Sequence, residues 1–137
     1  MVSRFNAAAT ERLLEGAVGA LTALGVAEED LDLVFVPGAW ELPLAAREAA
    51  ARGYDAIVAL GCVIRGETAH FDHVSRGACE GLARVQMDTG IPVGLGVLTP
   101  DTLEQAMARS GGELGNAGRE AARAALRMAD LRGRLRP

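Results

Sequence analysis

Ala56-Ile57-Val58-Ala59-Leu60 is apolar at every position and stands between two stretches of helical periodicity. A strand without a polar side must be covered on both faces, as the central strands of a parallel sheet are. Leu33-Val34-Phe35-Val36, ended by Pro37-Gly38, and the segment Ile91 to Leu98 are further strands of this kind. Each is separated from the next by a helical pattern of ten or more residues, which predicts parallel βαβ units and therefore a three-layer α/β sandwich.

The helices follow from periodicity and punctuation. One runs from Ala7 to Leu24, with Asn6 as N-cap and Gly25 as its stop, and a second from about Glu41 to Arg52, ended by Gly53. A third extends from Thr68, its capping residue, to about Asp88 before Thr89-Gly90. Thr99-Pro100 predicts a fourth, with a threonine cap and proline first, closing near Ser110-Gly111-Gly112. The last runs from about Asn116 to Leu131. Only Met1 to Phe5 precede the first helix, so the first of four strands is expected to be shortened, either by a start downstream of the natural one or as a short edge.

At 137 residues the chain reads as a single domain, 1–137. Its formal charge of −4 offers no basic surplus for a polynucleotide, so no nucleic-acid partner is expected. No apolar stretch approaches the ~20 residues that cross a bilayer, and Met1-Val2-Ser3-Arg4 does not open a signal peptide. The expectation is a cytoplasmic protein without a membrane partner. Cys62 and Cys79 have no zinc-motif spacing and are expected to be reduced thiols. All 14 basic residues are arginine, so no side-chain amine exists for a Schiff base or for anchoring pyridoxal phosphate. If carbonyl chemistry occurs, a substrate brings the amine.

Ligands of such sheets bind at the carboxyl ends of strands. There, Gly61 to His73 holds both histidines. The first-turn amides of the following helix favour an anion, phosphate above all, beside Gly66 to Thr68. His70 falls in that first turn, where an imidazole beside the anion site could accept and return a proton. It is either that or a structural histidine; His73 is the weaker candidate. Phe5, Trp40 and Phe71 all fall just past strand ends, where flat rings either stack on a heteroaromatic ligand or pack a loop or interface. Pro37-Gly38-Ala39-Trp40-Glu41-Leu42-Pro43 is a second strand-to-helix junction, suited to polyol hydroxyls. Glu41 there alternatively stabilises its own helix. Arg109, closing the fourth helix, either grips phosphate bidentately or complements the helix dipole. Gly94-Leu95-Gly96-Val97-Leu98-Thr99 lacks the third glycine of a dinucleotide fingerprint and lies inside a strand; its glycines are expected to admit a close backbone or a ligand.

Arg4-Phe5-Asn6, Pro37 to Pro43, Gly61 to Phe71, Gly94 to Thr99, and Gly115-Asn116 with Gly118 resemble, in order and spacing, the 6,7-dimethyl-8-ribityllumazine synthase family. The resemblance runs from Arg4 to about Ala129. It implies a flavodoxin-like sandwich and the penultimate step of riboflavin biosynthesis. In that step 5-amino-6-(D-ribitylamino)uracil and 3,4-dihydroxy-2-butanone 4-phosphate condense with loss of phosphate and water, without metal or organic cofactor. By motif position it implies His70 as the proton-transfer residue. Phe5, Ala39, Trp40, Glu41, Cys62, Val63, Ile64 and Leu95 become contacts to the pyrimidine and ribityl chain, and Glu67, Thr68 and Arg109 contacts to phosphate. Leu95 and Arg109 come from an adjacent subunit in the family. A homopentamer or a pentamer-based icosahedral shell is thereby implied, with riboflavin synthase as a candidate partner.

Three departures from the family pattern are Ala117, where many members carry lysine, Leu95 in place of a common phenylalanine, and the short start. They leave open a non-catalytic lumazine- or flavin-binding or shell protein of the same fold. The related riboflavin synthase of this fold, which uses no phosphate substrate, is disfavoured by Arg109 and the His70 motif.

Overall fold

A computed structural model describes residues 1–137. Four strands, β1 (Val2–Ser3), β2 (Phe35–Val36), β3 (Ile57–Cys62) and β4 (Val93–Leu98), form one parallel sheet in the spatial order β2-β1-β3-β4. Five helices accompany it: α1 (Ala7–Ala23), α2 (Leu42–Ala50), α3 (His70–Thr89), α4 (Leu103–Arg109) and α5 (Ala117–Leu135). This is the flavodoxin-like arrangement, with the first strand short as expected. It is not an edge, however. The β1 ladder continues past its two assigned residues, because Val2, Arg4 and Phe5 donate their amides to Val34, Val36 and Pro37 carbonyls at 2.8, 2.9 and 3.0 Å. On its other side the Leu60 amide donates to the Met1 carbonyl at 2.9 Å.

The unbroken apolar run in β3 is explained by two cores. Ile57 and Ala59 point to one face, where Leu42 and Ala46 of α2 meet Ala78, Leu82 and Val85 of α3. Leu60 and Cys62 point to the other, among Leu13 and Ala17 of α1 and Ala122 of α5. Alternate residues of one strand thus feed opposite layers, and neither side can be polar.

Gly94 is required by close backbone approach. A Cβ there would collide with the Ala121 carbonyl of α5 and crowd the Ala125 methyl. The approach expected from the glycines of this strand is therefore, at Gly94, that of the protein's own helix.

Several boundaries differ from sequence expectation. The fourth helix is capped by Thr102, whose hydroxyl accepts the Gln105 amide at 3.2 Å, and not by Thr99-Pro100. The Pro100 carbonyl is instead taken by the Arg65 amide at 3.0 Å, and α4 begins three residues later, at Leu103. A small antiparallel hairpin, β5 (Ser110–Gly112) with β6 (Gly115–Asn116), replaces the expected loop. Gly111 and Gly115 supply its positive φ angles of 108° and 85°. Asn116 caps α5, accepting the Arg119 amide at 3.0 Å, while its Nδ2 donates to the Arg12 carbonyl of α1 at 2.9 Å. The second helix begins at Leu42 after a 3-10 turn over Ala39–Glu41.

Candidate functional site

The chain leaves β1 and β3 on opposite faces of the sheet, and the gap above their carboxyl ends is the place where this topology opens a crevice. A cavity of about 170 Å³ lies there. Phe5 and Asn6 line it from the end of β1, Ala39 from the turn after β2, and Cys62, Val63 and Ile64 from β3 and beyond. Gly66, Thr68, His70, Phe71 and Val74 complete the wall.

Asn6 does not cap α1 with its side chain. It adopts a left-handed conformation, φ 60° and ψ 48°, which asparagine tolerates. That turn aims its carboxamide across the crevice, where Nδ2 donates to the Cys62 carbonyl at 2.8 Å. Asn6 therefore stitches the ends of β1 and β3 together and leaves the neighbouring Phe5 ring 72% exposed at the cavity. The RFN pattern identified the segment, but capping preference pointed to the wrong partner.

Beyond β3 the chain is extended, and then four consecutive amides, Gly66 to Ala69, donate to no acceptor within the protein. Phe71 at the second position of α3 has no main-chain acceptor either. Ala69, and not Thr68, is the N-cap residue; Thr68 Oγ1 still takes the His70 amide at 3.3 Å. Unpaired amides followed by a helix dipole form a cradle for an oxyanion. His70 is the first residue of α3 and is exposed on the same cavity, while His73 is exposed outside it.

Two of the three rings behave differently from Phe5. Phe71 is only 7% exposed, with the Arg65 guanidinium 4.4 Å over its ring, so it packs the wall and offers no free face. Trp40 is 60% exposed and lies against Gly77 of α3, where any Cβ would strike the indole. Gly77 is seven residues from His70, nearly two turns, so both sit on one stripe of α3 with Val74 between them. This sets Trp40 beside the rim, not in the wall. Glu41 is also outside the lining: its Oε2 accepts the Gly38 amide at 3.0 Å and braces its own turn.

Glu67, Leu95 and Arg109 do not line this cavity. Leu95 is 52% exposed on the edge strand β4, and Arg109 ends α4, where its Nη1 reaches only the Gln105 carbonyl at 3.5 Å. No cluster of three His, Cys, Asp or Glu side chains is placed to hold a metal ion. No helix is long and apolar enough to cross a membrane. A larger cavity of about 250 Å³ lies at the amino ends of the strands around Met1, Val34 and Ile57. We favour the smaller one, because the unpaired amides and the imidazole meet there.

Burial pushes the Cys62 thiol up to about 11 and raises that of Cys79, with Glu80 adding to the latter. The native state thus holds protons that the unfolded chain releases from about pH 9. Stability is expected to fall as pH rises from about 9 through about 11. Urea unfolding at pH 8 and pH 10.5 checks this; Cys62→Ala should flatten the dependence, and an unchanged slope would refute the assignment.

A flavodoxin-like sandwich whose switch-point crevice gathers an exposed ring, unpaired main-chain amides and an imidazole has the build of an α/β enzyme. Residues 1–133 match the family model described as 6,7-dimethyl-8-ribityllumazine synthase. A protein of that name from Gemmatimonas aurantiaca is 53% identical over 138 residues, covering 100% of this chain and 84% of the relative. The chain belongs to the 6,7-dimethyl-8-ribityllumazine synthase family.

Proposed function

We propose that the chain is a transferase condensing 5-amino-6-(D-ribitylamino)uracil with 3,4-dihydroxy-2-butanone 4-phosphate to 6,7-dimethyl-8-ribityllumazine, the penultimate step of riboflavin biosynthesis. Family membership supports this reaction. The observation that carries it is the meeting of Phe5, the unpaired amides and His70 on one cavity.

The chemistry follows from those parts. Phe5 stacks on the pyrimidine, while the Gly66 to Ala69 amides hold the phosphate of the second substrate. The pyrimidine's primary amine attacks the ketone and water leaves to give an imine, a step for which a lysine-free chain supplies no amine of its own. His70 takes the proton lost from the adjacent carbon as phosphate departs, then returns it as the enol becomes a ketone. The ribityl-bearing amine closes the second ring with loss of another water. Cys62, with its thiol held protonated, contributes wall and not nucleophile.

We read the working form as a homopentamer or a pentamer-based shell in which Leu95 and Arg109 of an adjoining copy complete each site. Ligand pockets commonly measure roughly 300–1,000 Å³. The crevice of one chain, about 170 Å³, is smaller than that, and Leu95 stands exposed on a sheet edge. Thr68 and Glu67 belong to the cradle segment, Ala39 to Glu41 to the ribityl side. Two free thiols suit a cytoplasmic setting, with riboflavin synthase as the partner that would consume the product.

Mixing the two substrates with the protein should form lumazine, read by absorbance, faster than the uncatalysed background. His70→Ala should lower kcat only about tenfold, because holding two reactants in register supplies much of the acceleration. Tight lumazine binding with no gain over background would instead select a non-catalytic binding protein.

A further inference from the structure

Arg65 is absent from the cavity wall, yet it fastens both ends of the segment that carries the unpaired amides. Its own amide donates to the Pro100 carbonyl at 3.0 Å, and its Nε to Asp101 Oδ1 at 2.6 Å. Nη1 reaches Asp72 Oδ1 at 3.5 Å, and the guanidinium plane covers the Phe71 ring at 4.4 Å. Asp101 belongs to the loop after β4, whereas Asp72 and Phe71 belong to the first turn of α3. One side chain therefore ties the loop entering the cradle to the helix leaving it and to the next strand end.

Between these ties, Gly66 to Ala69 are exposed, and the Thr68 hydroxyl makes their only side-chain hydrogen bond. Either ion pair alone, half-exposed as both are, would hold little. Convergence of two carboxylates and a ring on one planar guanidinium fixes geometry that a single pair cannot. It also engages Nε and Nη1, two of the nitrogens that could otherwise turn toward an anion.

We infer that Arg65, held by Asp101, Asp72 and Phe71, is a positioning residue that keeps the Gly66 to Ala69 amides convergent on the phosphate of the substrate. This rests on the phosphate-cradle reading above and adds a residue that acts through the loop, not by contact.

The test uses Arg65→Met, which keeps the apolar stem over Phe71, together with Arg65→Lys, Asp101→Asn and the Arg65→Met/Asp101→Asn pair. Two quantities are measured: the Kd of inorganic phosphate by calorimetry and the KM of each substrate. Arg65→Met should weaken phosphate and raise the KM of the phosphate substrate about tenfold, a modest misplacement cost, with the pyrimidine KM within about twofold. Arg65→Lys should recover part of the loss, and Asp101→Asn should reproduce part of it. The pair should be no worse than Arg65→Met alone, as expected of residues acting as one unit. An unchanged phosphate Kd in folded Arg65→Met would overturn the inference. So would tighter phosphate binding in Asp101→Asn, the signature of an arginine released to touch phosphate directly. Wild-type protein that forms no lumazine, yet shows these phosphate effects, would sink the reaction and leave the positioning role standing.

Discussion

Arg109→Ala is expected to raise the KM of the phosphate-bearing substrate about 100-fold while leaving that of the pyrimidine within about twofold, a loss of ~2.7 kcal/mol. The reason is the state of this arginine in the fold. It ends α4 with no carboxylate partner, and its one hydrogen bond, to the Gln105 carbonyl, is long at 3.5 Å. Arg65, by contrast, is committed to Asp101 and Asp72. A guanidinium left free at a helix end has its fork of donors available for a phosphate from an adjoining copy, a bidentate and charge-assisted contact. If Arg109 served only the helix dipole, its loss would cost well under ~1 kcal/mol of stability and leave both KM values alone. Steady-state kinetics with each substrate varied separately distinguishes the two outcomes.

Gly94→Ala should lower stability by about 3 kcal/mol, at the upper end of overpacking costs, and depress Tm by roughly 10 °C. The obstacle is rigid. The added methyl meets the Ala121 carbonyl, a main-chain atom inside α5, so the whole helix must retreat from the sheet. Gly19→Ala is the matched control: nothing lies within 4 Å of a Cβ there, and a helical glycine replaced by alanine should gain about 0.5–1 kcal/mol. Thermal melts of both variants beside the parent provide the comparison; a Gly94→Ala melt equal to the parent's would mean that α5 yields easily.

The sheet was legible because hydrophobic pattern records burial directly: Ile57 to Leu60 lack polar residues, and both their faces are covered. Helix ends after β-strands were harder. Thr99-Pro100 competes with Thr102-Leu103-Glu104-Gln105, whose T-x-x-Q spacing Thr99 lacks: the Gln105 amide donates to Thr102 Oγ1 at 3.2 Å and its Oε1 accepts the Asp101 amide at 2.8 Å, while the Arg65 amide claims the Pro100 carbonyl. That bond joins residues far apart in sequence, which no local pattern encodes. Asn6 failed for the same reason, since its partner is the Cys62 carbonyl and not an amide of its own helix. Of the candidate site, Phe5, Ala39, Cys62, Val63, Ile64, Thr68 and His70 come together in one wall. Trp40, Glu41, Glu67, Leu95 and Arg109 stand outside it in a single chain. Arg65 was passed over, because an arginine that works by bracing a loop has no motif chemistry of its own; its signal is the pair of aspartates it meets only after folding.

Trp40 is the sole tryptophan of the chain, and its indole rests on Gly77, along the α3 stripe that begins at His70. Nothing else in the protein emits at indole wavelengths, and the ring is still largely wet. Whatever approaches that rim, whether ligand or a second copy, changes the hydration of the one fluorophore that is watching it. The molecule thus carries an unlabelled optical gauge at the mouth of its own crevice.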